Sequence, residues 1–351
     1  MTSSPNEPKK KRSFWKILFA VLAAFLAVAL LLCGVLYWLY THGRSTLFQG
    51  DKDISAPETL VEKVEDDGLT VEYQGARYRY NENTVSILCM GVDKLSIQQN
   101  KGYGKNGQAD FLFLAVLDTK TGATSIIPLP RETMVDVNTI SSGGIYAGVE
   151  KTQLCLAYAY GATGEESCTN VARSVSRLLY GVPVNAYIAL DLNGMRAMAD
   201  MVGGVPLTMP EDFKTNDYYY KKGQTVTLRG AAAEAYVRHR SDDVYGSTQR
   251  LQRQKSFLDA FMTQAKKQIK ADFTKVTAYY VTAKPYIITD LDLSKAIFLA
   301  SSALSGDTRQ GLTYLTLNGE TVRGENFVEF YPDRTSTYEA VLQAFYLKED
   351  A

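Results

Sequence analysis

Apolar and polar positions divide the chain into three stretches of different pattern. Ile17 to Tyr40 is a run of 24 uncharged, mostly apolar residues. As a helix rising about 1.5 Å per residue it spans roughly 36 Å, enough to cross a hydrocarbon core of about 30 Å with some tilt. Trp15 sits at one end of the run and Tyr37, Trp38 and Tyr40 at the other, where aromatics mark a membrane–water interface. Residues 41–82 are polar and mixed in charge, with Glu62, Glu65, Asp66 and Asp67 in a stretch of little apolar periodicity. They read as a stalk and linker ending in a hairpin-like segment around Val71–Tyr80. From residue 83 strand-length apolar runs alternate with helical stripes. Thr84–Val92, Phe111–Leu117 and Ala123–Leu129 are strand-like, the last two joined by a tight turn that Asp118 begins. Gly164–Tyr180 carries Val171, Val175, Leu178 and Leu179 on one stripe and predicts a helix. Ala186–Leu190 predicts a strand, Asn193–Met201 a helix and Val205–Met209 a strand. Ala231–Val237 reads as a short helix, and Gln249–Ile269 as a long amphipathic one. The alternation predicts a three-layer α/β/α ectodomain with a mixed central sheet over 83–351, preceded by one N-terminal transmembrane helix.

Charge adds topology. The 38 Lys and Arg balance 38 Asp and Glu, but residues 1–16 carry five cations (Lys9, Lys10, Lys11, Arg12, Lys16) against Glu7, a net +4, so the rest sums to −4. The basic block places the tail 1–16 in the cytoplasm, the span 17–40 in the cell membrane as a single pass, and the remainder outside. A cleaved signal peptide would have an apolar stretch of about 7–15 residues and a small-residue exit, and this run is longer and leaves through bulky aromatics. A net charge of zero argues against nucleic acid as a partner. Two His, at 42 and 239, exclude a His-rich metal site. Four Cys without a C-x-x-C spacing argue against a zinc ribbon. Cys89 reads as an inert residue of the first strand. Cys155 and Cys168 flank a break between two helical stretches, and the outside location leaves open either a disulfide or two buried thiols.

Gly102-x-Gly104-x-x-Gly107 matches a dinucleotide fingerprint literally, but polar residues precede it and a strand follows, so it reads as a mobile loop that could cover a site. The acidic residues carry more. Asp93 falls just after the first core strand and Asp110 just before the second, and ligands bind at strand ends in α/β sheets. Two such carboxylates can share a hard cation such as Mg²⁺, or each can simply cap a turn. Arg131 follows the third strand. Arg238 and Arg240 flank His239 and would share a side if that segment is extended. Arg250, Arg253 and Gln254 recur at helical spacing and share a face. Five arginines around one space would make a poor core and a good clamp for a polyanion such as pyrophosphate, with ordinary surface ion pairs as the alternative.

Seven segments deepen this reading. Leu88-Cys89-Met90-Gly91-Val92-Asp93, Ala109-Asp110-Phe111 leading to Leu117-Asp118, and Ile127-Pro128-Leu129-Pro130-Arg131-Glu132-Thr133 come first. Ala157-Tyr158-Ala159-Tyr160-Gly161, Gly203-Gly204-Val205-Pro206-Leu207, Ala235-Tyr236-Val237-Arg238-His239-Arg240 and Arg250-Leu251-Gln252-Arg253-Gln254 follow. Together, over about residues 84–270, they resemble the LytR–CpsA–Psr (LCP) envelope phosphotransferases of bacteria. The resemblance implies an α/β/α ectodomain, in a Gram-positive type envelope, that holds a polyprenyl-pyrophosphate-linked glycan and transfers the phosphoglycan to a peptidoglycan hydroxyl. It implies that Asp93 and Asp110 hold Mg²⁺ and do acid/base work, and that Arg131 shares in catalysis. Arg131, Arg238, Arg240, Arg250 and Arg253 would grip the pyrophosphate with help from Gln254. An apolar tunnel would take the lipid tail. Three departures stand out. The family usually has Arg-Ser-Asp where this chain has Gln108-Ala109-Asp110, so one arginine is absent unless Lys101 or Lys105 replaces it. Glu132 stands where Asp is usual, and Asp242–Gln249 is longer than the common form. Alternatives are a non-catalytic module that binds lipid-linked glycan, and a hydrolase of the polyprenyl-pyrophosphate carrier.

Overall fold

The structure is a computed structural model that describes residues 27, 30–31, 33–48, 54–57, 59–65, 68–98, 102–239, 246–306, 311–325 and 327–349. Six of the described strands form the central sheet: β1 (Thr84–Val92), β2 (Ala109–Asp118), β3 (Thr124–Leu129), β4 (Ala186–Leu190), β5 (Ile287–Thr289) and β6 (Thr313–Tyr314), in the order β5–β4–β1–β2–β3–β6. The pairs β1–β4 and β3–β6 are parallel and the other three antiparallel, so the sheet is mixed. The described helices are α1 (33–47), α2 (Gly164–Leu178), α3 (Leu192–Met201), α4 (Gly230–Arg238), α5 (Gly246–Ala271), α6 (Lys275–Ala283), α7 (Leu293–Ser305) and α8 (Arg334–Phe345).

Side chains alternate across a strand, and here both faces are buried. Leu88, Met90 and Val92 of β1 and Leu112, Leu114 and Val116 of β2 meet Val171 and Val175 of α2 on one face. Val85 and Leu117 meet Phe298 and Leu299 of α7 on the other. Burial on two faces is why these strands read as continuous apolar runs rather than alternating ones. A second cluster joins α3, α4 and α5 through Ala199, Tyr236 and Phe257, with Phe213 beside them. Thr163 caps α2, its hydroxyl accepting from the Glu166 N–H.

The described residues of 41–82 are built into the domain to a greater extent than a stalk. Thr70–Tyr73 and Ala76–Tyr80 form a hairpin whose turn residues Gln74 and Gly75 have φ of 51° and 70°, the left-handed pair that a tight hairpin requires. The far edge of this hairpin pairs with Tyr346–Glu349 at the C-terminus. Val71 and Tyr80 are buried in the main cluster with Phe345. The partner strand lies about 270 residues away in sequence, so local patterning carries no trace of it. The C-terminal residues thereby complete the domain. Most of the predicted span 17–40 lies outside the described residues. Among the described residues no helix is long and apolar enough to cross a membrane.

The question left open by Cys155 and Cys168 resolves to two buried free thiols. Cys168 lies in the buried face of α2, and Cys155 in the 3₁₀ turn Leu154–Tyr160 beside Arg131. Burial pushes the Cys155 thiol up to about 11 even with Arg131 beside it. The unfolded, unreduced chain should therefore titrate all four cysteines as thiols, while Cys155 and Cys168 should resist a thiol reagent in the folded state. Leu114→Ala, at a position with no exposure, should destabilise the fold by about 2–5 kcal/mol, read as a shifted urea midpoint.

Candidate active site

The strand directions bring four chain ends together. β1, β3 and β4 finish, and β2 begins, at one end of the sheet. Asp93 follows β1 directly. A register shift between Gly91 and Val92 disrupts the ladder just before it, as bulges do when they re-aim a strand end. The Asp93 N–H donates to the Gln108 carbonyl at 3.3 Å, tying the two loops together. Asp110 is the second residue of β2. Arg131 lies two residues beyond β3, in a turn braced from both sides. The Thr133 hydroxyl donates to the Pro130 carbonyl at 2.6 Å. The Leu154 and Cys155 N–H groups donate to the Thr133 and Arg131 carbonyls at 2.8 and 3.2 Å.

Two carboxylate–guanidinium pairs occupy this end. Arg131 donates through Nη1 to Asp110 Oδ1 at 2.6 Å and through Nη2 to Gln108 Oε1 at 2.7 Å. Its Nη2 also lies 3.6 Å from Cys155 Sγ. Arg238, the last residue of α4, donates through Nη2 to Asp93 Oδ1 at 2.8 Å and through Nη1 to Glu234 Oε1 at 2.9 Å. Glu234 is buried one turn earlier on α4 and also accepts from Arg196 Nε of α3. The pairs differ in exposure: the side chains of Arg131 and Asp110 are 24% and 31% exposed, those of Arg238 and Asp93 47% and 46%. An open pair contributes only about 0.2–1 kcal/mol, so the Arg238–Asp93 pair is the one of the two that costs less to open. Burial raises the Asp110 carboxyl above the ordinary Asp range. Asp93 adds to that rise, and the charges of Arg131, Arg250 and Arg238 oppose it.

Not every predicted arginine reaches this space. Arg250 acts on Asp110 electrostatically. Arg253 is turned elsewhere: it is 2% exposed, pairs with Glu211, donates to the His239 carbonyl at 2.6 Å and lies over the Phe213 ring at 5.9 Å. Helical spacing puts 250, 253 and 254 on one face, but Arg253 lies at the margin of that face, where Glu211 and Phe213 collect it. Gln254 donates to the Val237 carbonyl at 3.4 Å and lines an apolar cavity of about 70 Å³ between Phe111, Phe113 and Pro128 of the sheet and Leu251 and Leu258 of α5. Arg240 and Lys101 lie outside the described residues. Arg238 ends a helix rather than sitting in an extended segment, and His239 instead faces the Phe213 ring.

Beside Asp93 opens a cleft of about 480 Å³, bordered by Lys105, Asn106, Tyr158 and Leu192. The glycine loop forms one wall. Gly102, Gly104 and Gly107 all have positive φ. The loop is fastened by the Gly104 N–H to the Ala159 carbonyl and by Asn106 Nδ2 to the Gly161 carbonyl, at 2.8 and 2.7 Å. It leads into a strand, as its sequence context requires, rather than opening a helix.

The family described as LytR_cpsA_psr matches residues 41–344. The chain belongs to the LytR_cpsA_psr family. The match extends the resemblance of residues 84–270 in both directions, covering α1 from residue 41 and most of the C-terminal part. The chain is 26% identical over 260 residues to polyisoprenyl-teichoic acid–peptidoglycan teichoic acid transferase TagV of Bacillus subtilis, covering 72% of this chain and 61% of that relative. To the similarly named TagU of Oceanobacillus iheyensis it is 23% identical over 327 residues, 92% of each. The crystal structure of B. subtilis TagV superposes with a TM-score of 0.59 at 25% identity, over 75% of this chain and 97% of that one. The mixed α/β fold is thus a LytR_cpsA_psr fold.

Sequence reading missed Glu234, Arg196 and Cys155 as parts of this site. Glu234 had one available signal, its spacing of four from Arg238 on a helix. Arg196 and Cys155 reach the site only through packing. Because Arg131 holds Asp110 down and burial holds it up, Arg131→Leu should raise the Asp110 carboxyl further, read as the midpoint of its ¹³C shift in a pH titration. A folded value above the unfolded one means that the stabilisation from Asp110 is complete below the unfolded value and fades as pH rises through the folded one. Asp110→Asn should therefore close its stability gap to wild type as pH rises through that window, seen in denaturation midpoints.

Proposed function

We propose that this chain transfers a phosphoglycan from a polyprenyl-pyrophosphate carrier to a peptidoglycan hydroxyl, as the names of its relatives suggest for teichoic acid. The observation that carries this reading is the pairing of Asp93 with Arg238 and Asp110 with Arg131 at one sheet end, next to an apolar cavity. A pyrophosphate needs fixed cations, a lipid needs apolar walls, and these are adjacent. Arg131 and Arg238 would bind the phosphates through their forked donors, with Arg250 adding charge. Glu234 would hold Arg238 in orientation and Gln108 would do the same for Arg131. Gln108 would therefore act as an acceptor that aims Arg131. The seam between β2–β3 and α5 would admit the lipid tail, and the cleft beside Asp93 would hold sugar.

The donor set suits Mg²⁺. That ion takes oxygen ligands, usually one or two carboxylates with the rest from phosphates and water, and Asp93 with Asp110 offers that minimum. Among the described residues no group of three or more acidic, His or Cys side chains forms a fuller cage. Bound there, Mg²⁺ would neutralise charge on the phosphates. In the reaction the acceptor hydroxyl oxygen bonds to the glycan-side phosphorus. The bond from that phosphorus to the bridging oxygen breaks, and polyprenyl monophosphate leaves. The carboxylate of Asp110, less acidic than an ordinary Asp because it is buried, receives the hydroxyl proton. The arginines stabilise the spreading charge without rearranging.

We also propose that residues 17–40 anchor the chain in the cell membrane, with the tail 1–16 cytoplasmic and the domain outside. Supporting this, the described part of that run presents Leu31, Val35, Leu36, Tyr37 and Trp38 to solvent, an arrangement suited to lipid.

The full chain should release polyprenyl monophosphate from a polyprenyl-pyrophosphate sugar with Mg²⁺ only when peptidoglycan fragments are present, with a phosphoglycan adduct seen by mass spectrometry. Asp93→Ala should lower release by at least ~10²-fold while leaving the circular dichroism unchanged. Release without acceptor would instead indicate a hydrolase, and tight binding without release a binding module. Gln108→Ala should weaken turnover by loosening Arg131, and Gln108→Glu should restore much of it by accepting the same hydrogen bond.

A further inference from the structure

α1 does not end at the predicted membrane boundary. It runs unbroken from residue 33 to 47, and its last two turns belong to the domain. Leu47 is 2% exposed and packs with Val85, Leu117 and Ala186. Tyr40 and Phe48 both meet the Phe298 ring of α7, at 5.1 and 6.3 Å. Asn185 Nδ2 donates to the Leu47 carbonyl at 3.1 Å. Gly43 makes the closest approach: a Cβ there would lie 2.2 Å from the Ser294 carbonyl oxygen and 2.8 Å from the Lys295 nitrogen, both backbone atoms that cannot yield. Leu31, Val35, Leu36, Tyr37 and Trp38, by contrast, are exposed. The change from an outward apolar surface to core packing takes place within one continuous helix, with no linker between.

The sheet register says which end of the domain this is. Leu47 meets Val85 and Asn185, at the starts of β1 and β4, whereas Asp93 follows the last residue of β1. β5 runs antiparallel to β4, from the level of Leu190 down to that of Ile188. Ser294 lies five residues further on, past the same lower end. From Gly43 to Leu47 the helix thus climbs from below the sheet to its lower edge, and its lipid-suited part points away from the site. Trp38 precedes Gly43 by five residues, about 7.5 Å of helix. That is about the thickness of one headgroup layer, given a bilayer of about 40–45 Å around a core of about 30 Å. Asp93, just past the end of β1, is eight residues from Val85, about 26 Å along the strand direction. The apolar seam lies between these levels, since Phe111, Phe113 and Pro128 sit at β2–β3 positions between Asp110 and Leu117.

We infer that α1 is a rigid strut that stands the domain on the lipid bilayer by the end of the sheet opposite Asp93, with the start of α7 at the headgroups and the carboxylate–arginine pairs held at a fixed height above them. The inference rests on the membrane-anchor reading of residues 17–40. A lipid tail leaving the bilayer would meet the apolar seam before its phosphates met the arginines, so the strut would align the seam with the route the substrate takes.

The test uses the full chain with Cys33→Ser in phosphatidylcholine vesicles containing an energy-transfer acceptor on their headgroups. A donor dye is placed either at Lys120→Cys, on the β2–β3 turn at the lower end, or at Leu95→Cys, beyond β1 at the upper end. Transfer should be several-fold more efficient from position 120 than from 95. Six Gly and Ser residues inserted between Trp38 and Leu39, which leave Gly43 and Leu47 docked, should erase that difference. Gly43→Ala should reduce it by prising α1 from Ser294. Equal transfer from the two positions in the chain of natural length, or a difference untouched by the insertion, would overturn the strut while leaving the anchor intact. A chain that does not float with the vesicles would overturn the anchor and the strut together.

Discussion

Two carboxylates share one end of a sheet, and a guanidinium beside each keeps them there. The charge of Asp93 pushes the Asp110 carboxyl up, so the two carboxylates need compensation close at hand. Arg131 and Arg238 supply it from different directions, one from the turn after β3 and one from the end of α4. Everything else around the site serves those two side chains. The 3₁₀ turn fixes the backbone of Arg131, Gln108 and Cys155 line its guanidinium, and Glu234 with Arg196 steadies Arg238.

The two pairs differ in openness. For the proposed reaction, the more open Asp93–Arg238 pair would be suited to turning its donors to a phosphate, and the more enclosed Asp110–Arg131 pair to keeping its geometry. Burial acts on Asp110 in the same sense, holding it less acidic than a free carboxylate. In the proposed transfer, binding, charge neutralisation and proton acceptance would be divided between two pairs that look equivalent in sequence but differ in solvent exposure.

The departures from the family pattern find partners of their own. Gln108 accepts from Arg131 where an arginine could not. The glycine loop forms a wall of the cleft through bonds to the turn around Ala159 and Gly161. Of its lysines, Lys105 reaches the cleft border. Arg253 shows the converse: a residue matching a family motif that is held by Glu211 and Phe213, away from the carboxylates.

What the sequence determined by itself was whatever depends on local pattern. Strands buried on both faces read as apolar runs, α2 as a stripe, and Asp93, Asp110 and Arg131 as residues at strand ends, because strand ends can be found without knowing the neighbours. The motif order was enough to name the family. The tertiary structure alone decided what depends on distant partners. It split Arg250 from Arg253 on one helix face, recruited Glu234, Arg196 and Cys155, and left Cys155 and Cys168 as separate thiols. It also folded the apparent stalk into the domain, because the hairpin at 70–80 is completed by residues 346–349 and α1 by the start of α7. Periodicity records which face of an element is apolar. It does not record what covers that face, and in this protein the covering groups come from elements far along the chain.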